Sequence, residues 1–204
     1  MKSIVFAIAF FIPTLLYSQS STKEGNTFPS GVYLHLKELQ EQRPSIQISQ
    51  LLFNGEQTTH VKKWFRGDSL FYMNESKIKR SLSYDSVYAF VDDGILYIQR
   101  KGYDHKVTVA GQLCYFVESY PIRRAASAPV STERNTETIP HLLDLFEGEL
   151  VEYSVASLET ILILRDEELY QEFIAIKSPK KQRQMLIRFV ERFNERNPLT
   201  KISQ

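Results

Sequence analysis

The feature of this sequence that most constrains its fold is a change in the spacing of apolar residues on either side of a polar segment, residues 123–139. Before this segment, apolar residues recur at every second position, as Val107 and Val109 do between Lys106 and Thr108, which is typical of strands with one buried face. After it, they recur at every third or fourth position, which is typical of helices. The sequence therefore predicts an α+β fold: an antiparallel β-sheet or small barrel-like meander with C-terminal helices packed on it.

Residues 28–122 are predicted to form a mainly antiparallel β unit of six or seven strands. The stretch Val87–Arg100 contains two apolar runs joined by Asp92-Asp93-Gly94, and Asp-Gly accepts the positive φ angles that a tight hairpin turn requires. A second turn, over Gly102–His105, leads into two further strands. The short runs Val61–Phe65 and Ser69–Met73 predict another hairpin across Arg66-Gly67-Asp68.

The start of this β unit changes its apolar period partway through. Val32, Leu34 and Leu36 alternate as in a strand, whereas Leu36 and Leu39 have helical spacing until Pro44 stops the turn. The alternative is a free recognition tip that meets an outside partner. The pattern favours a strand that leads into one short helix and faces the core.

Residues 123–139 are predicted to be a flexible linker or long loop, because they contain almost no large apolar side chain. Residues 140–198 are predicted to be a helical C-terminal region docked on the β unit. Ser157, Asp166 and Ser178 are suitable helix N-caps, and Pro179 fits the first position of the last helix. The apolar stripe of that helix consists of Leu186, Phe189, Val190 and Phe193.

The first 20 residues have the pattern of a signal peptide. Lys2 precedes an apolar run over Ile4–Tyr17, which is short for a membrane span, and the small residues Ser18 and Ser20 suit a cleavage site. The alternative is an uncleaved anchor. The leader predicts export, to the periplasm or outside the cell, with no transmembrane anchor after cleavage.

The charge balance argues against nucleic acid and anionic membranes as partners, and the cysteine content excludes an intrachain disulfide. The chain has 25 basic and 24 acidic residues, and removal of the leader takes away one lysine, which leaves the two signs equal. A balanced charge gives no general attraction to nucleic acid or anionic membranes. Cys114 is the only cysteine, so no intrachain disulfide can form, and its strand-like surroundings predict a small buried side chain.

No catalytic, cofactor-binding or metal-binding residue is predicted, and no cofactor is expected. The four histidines stand apart without metal-ligand spacing, and the sequence has no nucleophile elbow, Walker loop or dinucleotide-binding motif. The pairs Asp144 with Glu147 and Glu149 with Glu152 could do acid-base work, but nothing in the sequence indicates that they are buried. These four histidines are His35, His60, His105 and His141.

Other short motifs have ordinary structural explanations. Arg66-Gly67-Asp68 matches an integrin-type tripeptide, but between two strand-like runs it predicts a turn. Asn74-Glu75-Ser76 matches a glycosylation acceptor. Eleven Tyr, thirteen Phe and Trp64 could provide platforms for sugars or peptides, although their alternating positions favour sheet packing.

Three stretches together resemble an uncharacterised family of secreted Bacteroidota proteins: GVYLHLKELQEQRPS, VYAFVDDGILYIQ, and LRDEELYQEFIAI with RFVERFNERNPL. The chain departs from the family pattern at Phe193, where tyrosine is common, and at Ala89, where glycine is common. The resemblance implies a place in the cell envelope or beyond. It implies no activity and no catalytic residue.

Three hypotheses about function follow. The first is an exported, non-catalytic binding or envelope-associated protein that recognises a protein or glycan of the cell envelope, without nucleic acid. The second is an exported hydrolase with a site assembled from sequence-distant residues, such as His105 with Asp92 or Asp104. The third is a partner-binding helical tail that uses the apolar stripe of the helix at 179–196. The sequence does not predict an enzyme.

Overall fold

Two antiparallel sheets and four helices make up the parts of the chain that the computed structural model describes, residues 27–57, 69–121 and 136–199. The larger sheet has eight strands in the order β12-β11-β10-β9-β8-β7-β1-β2, and the smaller has the order β4-β3-β5-β6. The strands are β1 Gly31–Tyr33, β2 Ile46–Gln47, β3 Leu51–Phe53, β4 Glu56–Gln57, β5 Ser69–Met73, β6 Lys79–Ser83, β7 Ala89–Asp92, β8 Ile95–Arg100, β9 Tyr103–Val109, β10 Leu113–Pro121, β11 Thr136–Asp144 and β12 Glu149–Glu152. The helices are α1 Leu36–Gln40, α2 Val155–Arg165, α3 Glu167–Ile174 and α4 Pro179–Arg196.

The predicted α+β class is confirmed, with helices packed against antiparallel sheets. Among the described strands, the larger sheet has free edges at β12 and β2 and does not close into a barrel. The number of strands exceeds the prediction, because two-residue pieces such as β2 and β4 are too short to give a period.

Tight turns connect the central strands as the sequence indicates. Asp93 and Gly94 both have positive φ angles, 52° and 73°, between β7 and β8, and the predicted hairpin is confirmed. Lys101 and Gly102 form the same kind of turn before β9. The wider turn predicted over Gly102–His105 is wrong, because two residues suffice and His105 already belongs to β9.

The N-terminal strand and short helix are confirmed as β1 and α1. A Glu38 carboxylate oxygen accepts a hydrogen bond from the backbone N–H of Leu34, at 2.6 Å, which fixes this junction. Ser69–Met73 is a strand, β5, and it pairs with β3 and β6. Its predicted partner Val61–Phe65 and the turn at 66–68 lie outside the described residues.

The prediction of helical structure immediately after Pro140 is wrong. Residues 136–144 form β11, which pairs along its whole length with β10, and β12 follows. Leu142 and Leu143 are both buried because the sheet is covered on both faces here, so the apolar run has no two-residue period. Residues 136–139 of the predicted linker are strand, and residues 122–135 lie outside the described residues.

Two of the three predicted helix N-caps are confirmed. The Asp166 carboxylate accepts from Leu169 N, and the Ser178 hydroxyl accepts from Lys181 N with Pro179 at the first position. The prediction of Ser157 as a cap is wrong. Ser154 caps α2 and accepts from the backbone N–H of Ser157, which lies inside the helix.

The apolar stripe of α4 is buried against the sheet with α2 and α3, and it forms the core of that side. The opposite face of the sheet packs against α1 through Leu39, Ile98 and Phe116. A third cluster joins the two sheets. Among the described helices, none has the length and apolarity needed to cross a membrane.

Candidate functional site

The histidine-aspartate pairs suggested by the sequence do not assemble. Asp104 precedes His105 in β9, so the two side chains lie on opposite faces of the sheet. The Asp104 carboxylate instead accepts a hydrogen bond from the Tyr84 hydroxyl. Asp92 follows Val91, which faces the same core as Val107, so Asp92 also points away from the face of His105.

His105 shares its face of the sheet with a group of five polar side chains from β8, the β8–β9 turn, β10 and β11. Glu118 on β10 is at the centre, and only 1% of its side-chain surface is exposed. Its carboxylate forms an ion pair with Arg100. We name this group the Glu118 cluster: Arg100, Lys101, His105, Glu118, Tyr120 and His141.

Three further members of the cluster lie around the Glu118 carboxylate. Lys101 Nζ lies 3.6 Å from Oε2, and His141 Nε2 lies 3.5 Å from Oε1. The Tyr120 hydroxyl donates a hydrogen bond to Oε2 at 2.5 Å. The Lys101 ammonium also lies 4.6 Å from the centre of the Tyr120 ring. The carboxylate is therefore surrounded by donors.

The electrostatics of the cluster favour a fixed anion. Burial raises the pKa of Glu118, but the Tyr120 hydrogen bond together with Arg100 and His141 lowers that pKa below its ordinary value. Burial lowers the pKa of His105, against the opposite influence of the Arg100 backbone and Glu118. At neutral pH the Glu118 carboxylate is therefore charged and the His105 imidazole is neutral. The geometry of the cluster suits a buried anchor between strands.

Cys114 is fully buried on the same face, as predicted. Its Sγ donates a hydrogen bond to the Gly111 carbonyl at 3.3 Å, and burial raises the pKa of the thiol to about 12. The thiol therefore stays protonated. Within residues 27–57, 69–121 and 136–199, no group of three or more His, Cys, Asp or Glu side chains is placed to hold a metal ion.

A second candidate site is a cleft where the β11–β12 turn meets the C-terminal ends of α2 and α4. It has a volume of about 690 Å³ and adjoins a smaller cleft of about 250 Å³ between β12 and α2. Both clefts contain Glu147, Leu164 and Arg165, and we name them together the Arg165 cleft. It is lined by Gln112, Asp144, Phe146, Glu147, Glu149, Val151, Ser157, Thr160, Ile161, Leu164, Arg165, Phe193, Asn197 and Pro198.

Arg165 fixes the wall of this cleft. Its guanidinium donates to Asp144 at 2.7 Å and to Glu147 at 3.2 Å, and it lies 4.5 Å from the centre of the Phe146 ring. The Asp144 carboxylate also accepts from the backbone N–H of Phe146 at 2.9 Å. Because Gly148 turns the chain with a φ angle of 77°, the hairpin tip presents Phe146 outward.

The cleft combines apolar walls with an acidic rim. The side chains of Phe146 and Leu164 are 69% and 76% exposed, which is unusual for large apolar residues in a well-packed region. Asp144 and Arg165 are mostly buried and neutralise each other. Glu147 and Glu149 are exposed and leave the rim negative. Such a surface can hold an apolar group beside a positive charge.

Where the structure describes them, the remaining residues singled out in the sequence do not form a further site. His35 is exposed at the start of α1, and Asn74 lies in the β5–β6 turn. His60 and Trp64 lie outside the described residues. Glu149 and Glu152 are three positions apart on one strand, so their side chains point to opposite faces.

Sequence reasoning missed Phe146 and Leu164. The signal available for Phe146 was its position two residues before Gly148, at a hairpin turn that the helical interpretation of residues 140–152 concealed. Leu164 lies off the buried side of α2, which consists of Leu158, Ile161 and Leu162. Its exposure depends on where α2 ends relative to the β11–β12 turn.

The comparisons with known proteins found no match to this chain among family models, curated proteins or solved structures, so its resemblance to a secreted Bacteroidota family stays a prediction.

Proposed function

We propose that this chain is an exported, non-catalytic binding protein of the cell envelope, and that the Arg165 cleft is its binding site. The observation that carries this proposal is the exposure of Phe146 and Leu164 on the walls of the cleft. Exposed apolar groups beside a few oriented polar ones are typical of surfaces that bind a protein or another ligand. The leader predicted at residues 1–20 supports export.

The Glu118 cluster is the best-assembled alternative for a hydrolase, since it unites sequence-distant titratable side chains. Its carboxylate is enclosed by Arg100, Lys101 and Tyr120, and these contacts hold it in the charged form. A general acid or base needs access to the reacting group of a substrate. Enclosure therefore favours a structural role for Glu118, and binding over hydrolysis for the protein.

The third hypothesis assigned partner binding to the apolar stripe of α4. That stripe packs against β10, α2 and α3 in the core, so it is not free to meet a partner. The end of α4 contributes to the Arg165 cleft through Phe193 and Asn197 instead. The helix therefore supports the binding site by its position.

Binding is tested with the chain from residue 21 onward, against a glycan array and a random peptide library. Phe146→Ser and Leu164→Ser should each weaken binding of the selected ligand by about tenfold or more, because each removes apolar contact at the site. Ile163→Ser is the matched control, since Ile163 is exposed on the same helix outside the cleft. A ligand whose affinity is unchanged by both cleft variants, or turnover in a broad hydrolase panel, would contradict the proposal.

Export is tested by N-terminal sequencing of the protein recovered from the periplasm and the medium. The proposal expects a mature chain that begins within about two residues of Ser21, after the small residues that suit signal peptidase. Recovery of the intact chain in the cytoplasm alone would contradict export. The binding assay would still test the Arg165 cleft in that case.

A further inference from the structure

Among the described residues, two groups of exposed large apolar side chains lie beside charged residues, and the sign of the charge differs between the two groups. One group is in the Arg165 cleft, beside acidic residues. The other is on the β5–β6 hairpin, beside basic residues, and we name it the hairpin patch: Phe71, Lys77, Ile78 and Lys79. The two surfaces have the same apolar character and complementary charge.

The hairpin patch has a fixed shape. The side-chain oxygen of Asn74 accepts a hydrogen bond from the backbone N–H of Ile78 at 2.8 Å. The backbone N–H of Asn74 donates to the Ile78 carbonyl at 3.1 Å. These bonds hold Ile78 at the tip of the hairpin, where 51% of its surface is exposed. The Lys79 ammonium lies 4.8 Å from the centre of the Phe71 ring. The tip therefore presents an apolar group with a cation beside it.

The charges of the two surfaces are opposite in sign. The hairpin patch carries two basic residues, Lys77 and Lys79, against the single acid Glu75 in the adjoining turn. The Arg165 cleft carries three acids against Arg165 itself. Opposite patches steer association and set its orientation, whereas two acidic clefts placed face to face would repel. The hairpin patch is thus a surface of this same chain whose charge complements that of the Arg165 cleft.

The two surfaces lie at opposite ends of the strand order. The cleft adjoins β12, at one edge of the larger sheet. The smaller sheet that carries the hairpin packs through Leu70 beside β1, β7 and β8, near the other edge. Because strands are spaced about 4.8 Å apart, several strands separate the hairpin from the cleft of its own chain. This separation in the strand order favours a contact between two copies over one within a single chain.

We propose that the Arg165 cleft binds the hairpin patch of a second copy of this chain, in a head-to-tail arrangement. This inference rests on the proposed function, in that it takes the cleft to be the binding site and names its occupant. Ile78 enters between Phe146 and Leu164, and the lysines face Glu147 and Glu149. Since the two contacting surfaces differ, repetition gives a closed ring or an open chain of copies.

The test is sedimentation velocity of the chain from residue 21 onward over a range of concentrations. The expected result is association that strengthens with concentration and weakens with added salt. The cleft reversal, Glu147→Lys with Glu149→Lys, and the hairpin reversal, Lys77→Glu with Lys79→Glu, should each weaken association by about tenfold or more. An equimolar mixture of the two reversed proteins should associate again, because a basic cleft then meets an acidic hairpin.

Controls separate this contact from general charge effects and from misfolding. Lys180→Glu with Lys181→Glu reverses two exposed charges on α4, outside both surfaces, and should leave association unchanged. Restoration in the mixture shows that each reversed protein is folded. A chain that is monomeric at every concentration, or association that neither reversal weakens, would overturn the inference. Loss of ligand binding in Phe146→Ser would still support the cleft as the binding site in that case.

Discussion

The Asn194 side chain of α4 packs against the backbone at Gly111, just before β10. The Asn194 side chain is buried, accepts from the backbone N–H of Leu113 and donates to its carbonyl, both at 2.8 Å. A Cβ atom added at Gly111 would lie 2.3 Å from Asn194 Cγ. Glycine is therefore required at position 111 for space, since its φ angle is not in the left-handed region.

We predict that Gly111→Ala lowers the free energy of unfolding by about 1–3 kcal/mol, because the new methyl overlaps a side chain that two hydrogen bonds hold in place. Asn194→Ala should cost about 2–4 kcal/mol, since it leaves buried backbone groups of Leu113 without partners. The loss of unfolding free energy in the double variant should be smaller than the two single losses added together, by about 1 kcal/mol or more. Urea unfolding measures all three, and strict additivity would contradict the contact.

Glu118 is a buried carboxylate that forms ion pairs with two cations. Its removal leaves Arg100 and Lys101 without their shared partner. Both cations are partly exposed, so water compensates for some of the loss. The cost should thus be smaller than for a fully buried pair.

We predict that Glu118→Gln lowers the free energy of unfolding by roughly 1–3 kcal/mol at pH 7. The folded-state pKa of Glu118 is lowered, so its stabilisation is present above the unfolded pKa of about 4.3 and is lost as the pH falls through the folded value. The difference between wild type and variant should therefore shrink below about pH 4. Urea unfolding from pH 7 to pH 3 measures it. The control Glu56→Gln, on an exposed strand, should stay within about 0.5 kcal/mol of wild type.

At the scale of elements, α4 shows where a sequence pattern and a tertiary contact agree. Its apolar residues follow the helical period, its N-cap and first proline are in place, and the buried face is the one predicted. The strand β11 shows the opposite case. Its apolar residues Leu142 and Leu143 are adjacent, because helices cover one face of the sheet and α1 packs against the other.

We predict that Phe189→Ala lowers the free energy of unfolding by about 3–5 kcal/mol, because Phe189 is buried and packs edge-to-face against Phe173 at 4.9 Å. The neighbouring exposed substitution Arg188→Ala should change it by less than about 0.5 kcal/mol. Chemical denaturation measures both. An unchanged stability for Phe189→Ala would mean that the stripe of α4 does not belong to the core.

At the scale of the whole molecule, the eight-stranded sheet is covered on both faces and carries a second, smaller sheet at one side. This arrangement places the two exposed apolar surfaces near different ends of the strand order. A chain of this length with one cysteine depends on such packing, since no disulfide can restrain it. The Arg165 cleft lies on β12, α2 and α4, and the hairpin patch lies on the β5–β6 hairpin.

The sequence by itself determined the α+β class, the Asp93-Gly94 hairpin, the short helix after β1, and the caps and buried stripe of α4. These features depend on neighbours close in the chain, through turn geometry, hydrogen bonds at helix ends and the period of apolar residues. Only the tertiary structure decided that residues 136–144 and 149–152 are strands, that Glu118 contacts four side chains from separate positions, and that Phe146 and Leu164 stay exposed. The reason is physical: which face of an element is covered depends on elements distant in the chain, and local spacing contains no measure of that contact.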